Sequence, residues 1–72
     1  MTDRVETYSG QRLHERPLRF QVQGIWHTVV RVLSSWQEPG ILVFRVLAED
    51  DQKYTLDYNQ EKDIWKVDIS RP

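Results

Sequence analysis

The chain has 72 residues, a net charge of −1 and no cysteine. That length holds one small domain, whose core supplies only about 3–5 kcal/mol without a staple, and the missing cysteines exclude disulfides and thiolate zinc sites. The near-neutral balance excludes a uniformly basic nucleic-acid binder and leaves at most a basic face. Three Trp, three Tyr and two Phe must then carry much of the apolar burial.

Residues 1–12 are polar, with Val5 and Tyr8 as their sizeable apolar side chains. They read as a flexible or weakly tethered arm, with a short edge strand as the alternative. No apolar run follows Met1, and no stretch approaches the roughly 20 apolar residues of a membrane span. The expected location is the cytoplasm, which the absence of cysteine fits. Residues 13–72 are expected to form a single small β-domain.

Pro17 suits the first position of a strand, where no ladder donor is lost. Residues 18–22 alternate: Leu18, Phe20 and Val22 on one face, Arg19 and Gln21 on the other. Gln23-Gly24 supplies a turn, with Gly24 free to take positive φ. Residues 25–33 are apolar on both parities, which predicts two covered faces, a bulge near Val29-Val30, or both. Residues 34–40 read as a connection, broken by Ser34-Ser35 and Pro39-Gly40, with Trp36 inside it. Residues 41–47 are again apolar on both parities, interrupted only by Arg45. An acidic turn, Glu49-Asp50-Asp51-Gln52, precedes a strand over 53–58 with Tyr54, Leu56 and Tyr58 on one face. A further turn leads to a last strand over 64–69, with Trp65, Val67 and Ile69 facing inward.

No window supports an amphipathic helix. The fold is expected to be all-β: about five antiparallel strands in a coiled meander or small SH3-like barrel. The expected core is Phe20, Val22, Trp26, Val30, Val32, Leu42, Phe44, Val46, Tyr54, Leu56, Trp65 and Val67. Leftover apolar surface from Ile25, Val29, Ile41 and Val43 suits a homodimer.

Arg16-Pro17, Trp26-His27-Thr28-Val29, Val32-Leu33, Trp36, Phe44-Arg45-Val46, Tyr54-Thr55-Leu56-Asp57-Tyr58 and Trp65 carry a resemblance that covers most of the chain after Arg12. In these the chain resembles a small uncharacterised bacterial family of compact β-domains. That domain of unknown function stands alone or at the C-terminus of proteins related to Y-family translesion polymerases. The resemblance implies the β-fold and, by analogy, a role near DNA repair or replication.

Chemistry is sparsely marked. Arg12, Arg16, Arg19, Arg31 and Arg45, interleaved with Trp26 and Trp36, suit a surface where Arg holds phosphates and an aromatic stacks a base. Arginines alternating with apolar residues also describe an ordinary solvated sheet face, and the charge balance favours that simpler reading. Trp26, Trp36, Tyr54 and Tyr58 suit a peptide groove, although a chain this small needs most of its aromatics inside. His14 and His27 match no metal-ligand spacing. Asp57, Asn59, Glu61 and Asp63 alternate like a calcium loop but lack its central Gly and distal Glu. Glu49-Asp50-Asp51 reads as a solubilising edge turn. No nucleophile motif is present, and a small meander has little room for an active-site pocket of about 300 Å³ or more.

The expectation is therefore a non-catalytic interaction module without metal or cofactor, binding a protein near DNA repair or replication. The alternative is a weak nucleic-acid-binding small barrel. Arg19, Arg31, Trp36 and Arg45 are the candidate surface for either.

Overall fold

The computed structural model describes residues 4–7 and 16–69. The expectations placed on Tyr8, Arg12 and His14 lie outside them. The strands are β1 (Val5–Thr7), β2 (Pro17–Val22), β3 (Ile25–Glu38), β4 (Ile41–Ala48), β5 (Lys53–Asn59) and β6 (Ile64–Ile69). They pair antiparallel in sequence order into one sheet, curled into a half-barrel. The all-β expectation holds. Val5–Thr7 is the short edge strand that the N-terminal stretch allowed, with Val5 opposite Phe20. Among the described residues no helix is long and apolar enough to cross a membrane.

Two tight turns set the register of the first half. Val22 pairs with Ile25 across Gln23 (φ 52°) and Gly24 (φ 81°). Two consecutive positive φ values are the type I′ signature, whose twist matches that of the strands it joins. Glu38 pairs with Ile41 across Pro39-Gly40, and Gly40 has φ 75°. Pro fixes the first corner of that turn, and Gly supplies the positive φ of the second.

β3 corrects the sequence reading. It is a single strand of 14 residues, and Ser34, Ser35 and Trp36 lie within it rather than in a connection. Only Pro39-Gly40 turns the chain. The cause is a pair of bulges. Val29 pairs with Ala48 and Arg31 with Leu47; Val32 pairs with Val46 and Ser34 with Arg45. Val30 and Leu33 are thus extra residues in the ladder. Each bulge shifts the period-two pattern by one position, so an apolar run on both parities still serves one buried face. The first bulge falls at the Val29-Val30 site that the pattern predicts.

The core lies on the concave face: Phe20, Phe44, Val46, Ala48, Tyr54 and Leu56 are buried. Val5, Val22, Val29, Val32, Leu42, Trp65 and Val67 pack against them. Phe20 contacts Tyr54, and Trp65 lies between Phe44 and Tyr58, with ring centroids 4.8–6.0 Å apart. Two expected core residues are elsewhere. Val30 is 61% exposed because it is the bulged residue. Trp26 pairs with Gln21 and points to the convex face, half-buried. Tyr58, Val43 and Ala48 are buried in addition to the expected set.

The four residues proposed for a dimer patch do not form one surface. Val29 packs on the core, Val43 is 5% exposed, and Ile25 is 63% exposed at the β2–β3 turn.

Candidate functional site

Residues paired across antiparallel strands share a face. On the convex side, the register lines up Arg31 with Leu47 and Lys53, and then Ser34 with Arg45, Thr55 and Asp68. The next row is Trp36, Val43, Asp57 and Lys66, and the last is Glu38, Ile41, Asn59 and Ile64. Three of the four candidate residues, Arg31, Trp36 and Arg45, therefore share one face. Trp36 is 43% exposed there, and its indole N–H donates to Glu38 Oε2 at 3.0 Å.

Arg19 does not join them. It lies on the β2 portion of the sheet, opposite Thr28, and its guanidinium is engaged. Nε and Nη2 donate to the two oxygens of Glu6 at 2.8 and 3.0 Å, and Cζ sits 4.3 Å from the Trp26 ring centroid. The hydrogen bonds from Arg19 hold the Glu6 carboxyl below its usual range. This bidentate fork clasps β1 to β2 and covers Trp26.

Beside Val43 the convex face is indented. Ile41, Asp57, Asn59, Ile64 and Lys66 line a groove of about 260 Å³. Burial pushes the Asp57 carboxyl up, and the nearby Asp68 and Glu38 charges add to the effect, while Lys66 opposes it. The sequence pattern placed Asp57 in a faint calcium-like series and gave no sign of this groove. The rest of that series does turn chemistry: Asn59 Oδ1 accepts from the N–H groups of Glu61 and Lys62, and Asp63 Oδ1 accepts from the Tyr58 hydroxyl. The expected aromatic groove is likewise divided. Tyr54 and Tyr58 are in the core, on the face opposite Trp26 and Trp36.

At the other end of the sheet, the β4–β5 turn folds onto the start of β3. The Glu49 N–H donates to the Thr28 carbonyl at 3.0 Å, and the Thr28 N–H donates to Glu49 Oε1 at 3.0 Å. This reciprocal pair carries Glu49 and Asp50 to His27. His27 Nδ1 is 3.5 Å from Glu49 Oε2 and 3.6 Å from Asp50 Oδ2. The imidazole packs against the contacting pair Phe20 and Tyr54, with centroids 5.7 and 5.6 Å away. The Tyr54 hydroxyl donates to Asp50 Oδ2 at 2.8 Å, and the Gln52 N–H to Asp50 Oδ1 at 3.0 Å.

The electrostatics follow from those contacts. Glu49 is held below its usual range, chiefly by the Thr28 N–H. Burial raises Asp50, but the Tyr54 hydroxyl, the Gln52 N–H and His27 outweigh it, and the net direction is down. Burial and then the Asp50 hydrogen bond push the Tyr54 phenol up to about 12. The sequence treated His27 as a half-buried strand residue and Glu49-Asp50 as a solubilising turn. The available signal was the separate appearance of one strand histidine and one acidic turn, and only the register joins them.

Comparison of the chain with protein-family models, with curated proteins and with solved structures finds no match.

Proposed function

We propose that this protein is a non-catalytic interaction module that binds a protein segment on the convex face of β3–β6. The observation that carries this reading is Asp57: a carboxyl raised by burial in a groove walled by Ile41 and Ile64, in the same cross-strand row as exposed Trp36 with Val43 between them. A carboxyl perturbed by burial in a cleft is a functional-site candidate. Asp57, Asp68 and Glu38 give this part of the face a negative bias, with Lys66 as its one countercharge in the groove. A basic side chain beside an apolar one is therefore the matching chemistry, and Trp36 is the anchor residue type that such interfaces favour. The resemblance to polymerase-associated domains makes repair and replication proteins the first partners to try.

Nucleic-acid binding is the second reading, favoured by Arg31 and Arg45 on the same face as Trp36. Interleaved Glu38, Asp57 and Asp68 oppose a polyanion there, which ranks this reading below a protein partner.

A peptide array varying basic and apolar positions, followed by amide chemical-shift mapping, tests both. The expected result is shifts confined to the convex face, with W36A weakening the bound peptide about 30-fold or more, as for an interface anchor. R19E should leave that affinity unchanged. Binding of single-stranded DNA with a steep salt dependence, and of no peptide, would put the second reading first.

A further inference from the structure

We propose that His27, Glu49 and Asp50 form a binding site for a divalent transition ion of the zinc type. The site is independent of the convex face, and its ligands come from β3 and the β4–β5 turn. The geometry carries the argument. A well-formed N–H···O bond spans about 2.7–3.2 Å. The two distances from His27 Nδ1, 3.5 and 3.6 Å, are longer than that. They match instead the edge of a zinc tetrahedron, about 3.3–3.6 Å for metal–ligand bonds of about 2.0–2.2 Å. Ligand atoms of all three residues lie within 4.8 Å of one another. The two spacings from His27 are those of ligands around one ion, and binding would draw the two carboxylates closer together.

The supporting contacts are those a metal site uses to aim its ligands. Glu49 Oε1 takes the Thr28 N–H, which leaves Oε2 toward the centre. Asp50 is held by the Tyr54 hydroxyl and the Gln52 N–H. The His27 ring packs on one side against Phe20 and Tyr54. One imidazole and two carboxylates are a nitrogen–oxygen donor set suited to zinc and its neighbours, whereas calcium takes six or more oxygens. Glu49 and Asp50 are exposed, so water can complete the coordination.

The test is titration of the full chain with zinc chloride, followed by calorimetry and by the ring ¹⁵N signals of both histidines. Saturable one-to-one binding that shifts His27 and leaves His14 unmoved is expected. E49Q and D50N should each weaken zinc binding about tenfold or more, while E61Q, in the other acidic turn, should not. Zinc should raise the melting temperature of the wild-type chain and not that of D50N. Absence of binding at millimolar zinc, binding that shifts only His14, or unchanged affinity in both E49Q and D50N overturns the proposal. The wild-type histidine signals decide the matter even if a variant folds poorly.

Discussion

The two ends of the sheet are closed by acidic turns that resemble each other in composition and differ in what they hold. At one end the β4–β5 turn reaches β3 through the Glu49 N–H and through ionisable side chains: Glu49 to Thr28, and Glu49 and Asp50 to His27. At the other, the β5–β6 turn is reached by neutral groups, the Gln60 N–H donating to the Gly40 carbonyl at 2.9 Å and the Gln37 amide to Gln60 Oε1 at 3.5 Å. Each has a buried tyrosine donating to an aspartate: Tyr54 to Asp50, and Tyr58 to Asp63. What separates them is the histidine that the third strand brings to one of them. A turn satisfied by its own backbone and Asn59 is only a turn; one whose carboxylates meet a histidine from elsewhere in the chain becomes a responsive element.

This contrast can be broken by substitution. H27A removes a ring packed against Phe20 and Tyr54 and should cost about 2 kcal/mol in urea unfolding, a half-buried share of the usual aromatic truncation. N59A, which loses a local cap of two N–H groups, should cost about 1 kcal/mol. Equal losses would remove the distinction between the ends.

Alkali should affect both ends. Tyr54 and Tyr58 are each pushed up to about 12, Tyr54 first by burial and Tyr58 first by its bond to Asp63. A phenol raised above its unfolded value of about 10 contributes stability fully below pH 10. That contribution is lost as pH rises toward 12. Y54F and Y58F should each flatten this part of the stability–pH curve, at a cost of about 1–2 kcal/mol near neutrality.

Backbone strain is the next largest effect. G40A forces an L side chain to φ 75° and brings its Cβ to 3.2 Å from Glu61 Oε1. The expected loss is about 1 kcal/mol, read from the melting midpoint. Q23N should do the opposite, since Gln23 sits at φ 52° in a turn that prefers Asn-Gly, and about 0.5 kcal/mol of stabilisation is expected.

Acid gives the smallest effect, read at the β4–β5 turn. Glu49 and Asp50 are lowered, so their contribution is full above the unfolded carboxyl range and is lost as pH falls below that range through the lowered folded values. Amide signals of Thr28 and Glu49 should move over that acid window.

Much of the fold was legible because β2, β5 and β6 keep strict alternation and the turn residues stand where turns occur. β3 was only partly legible. Its first bulge was foreseen at Val29-Val30, but the second, at Leu33, moved the phase again and made Ser34-Ser35 look like a break. Trp26 was misplaced because size argued for burial, whereas register turned it outward beneath Arg19. The candidate surface was recovered in part: Arg31, Trp36 and Arg45 share a face, while Arg19 is committed to Glu6. The meeting of His27 with Glu49 and Asp50 is not legible in the sequence because it depends on strand register, which motif spacing does not encode.

The strand order has a kinetic consequence. Every strand pairs with its neighbour in sequence, so no ladder waits on closure of a long loop. For an all-β protein this is low contact order, and hairpins can zip one after another from either turn. Refolding should be single-exponential and complete within about milliseconds, at the fast edge of its structural class.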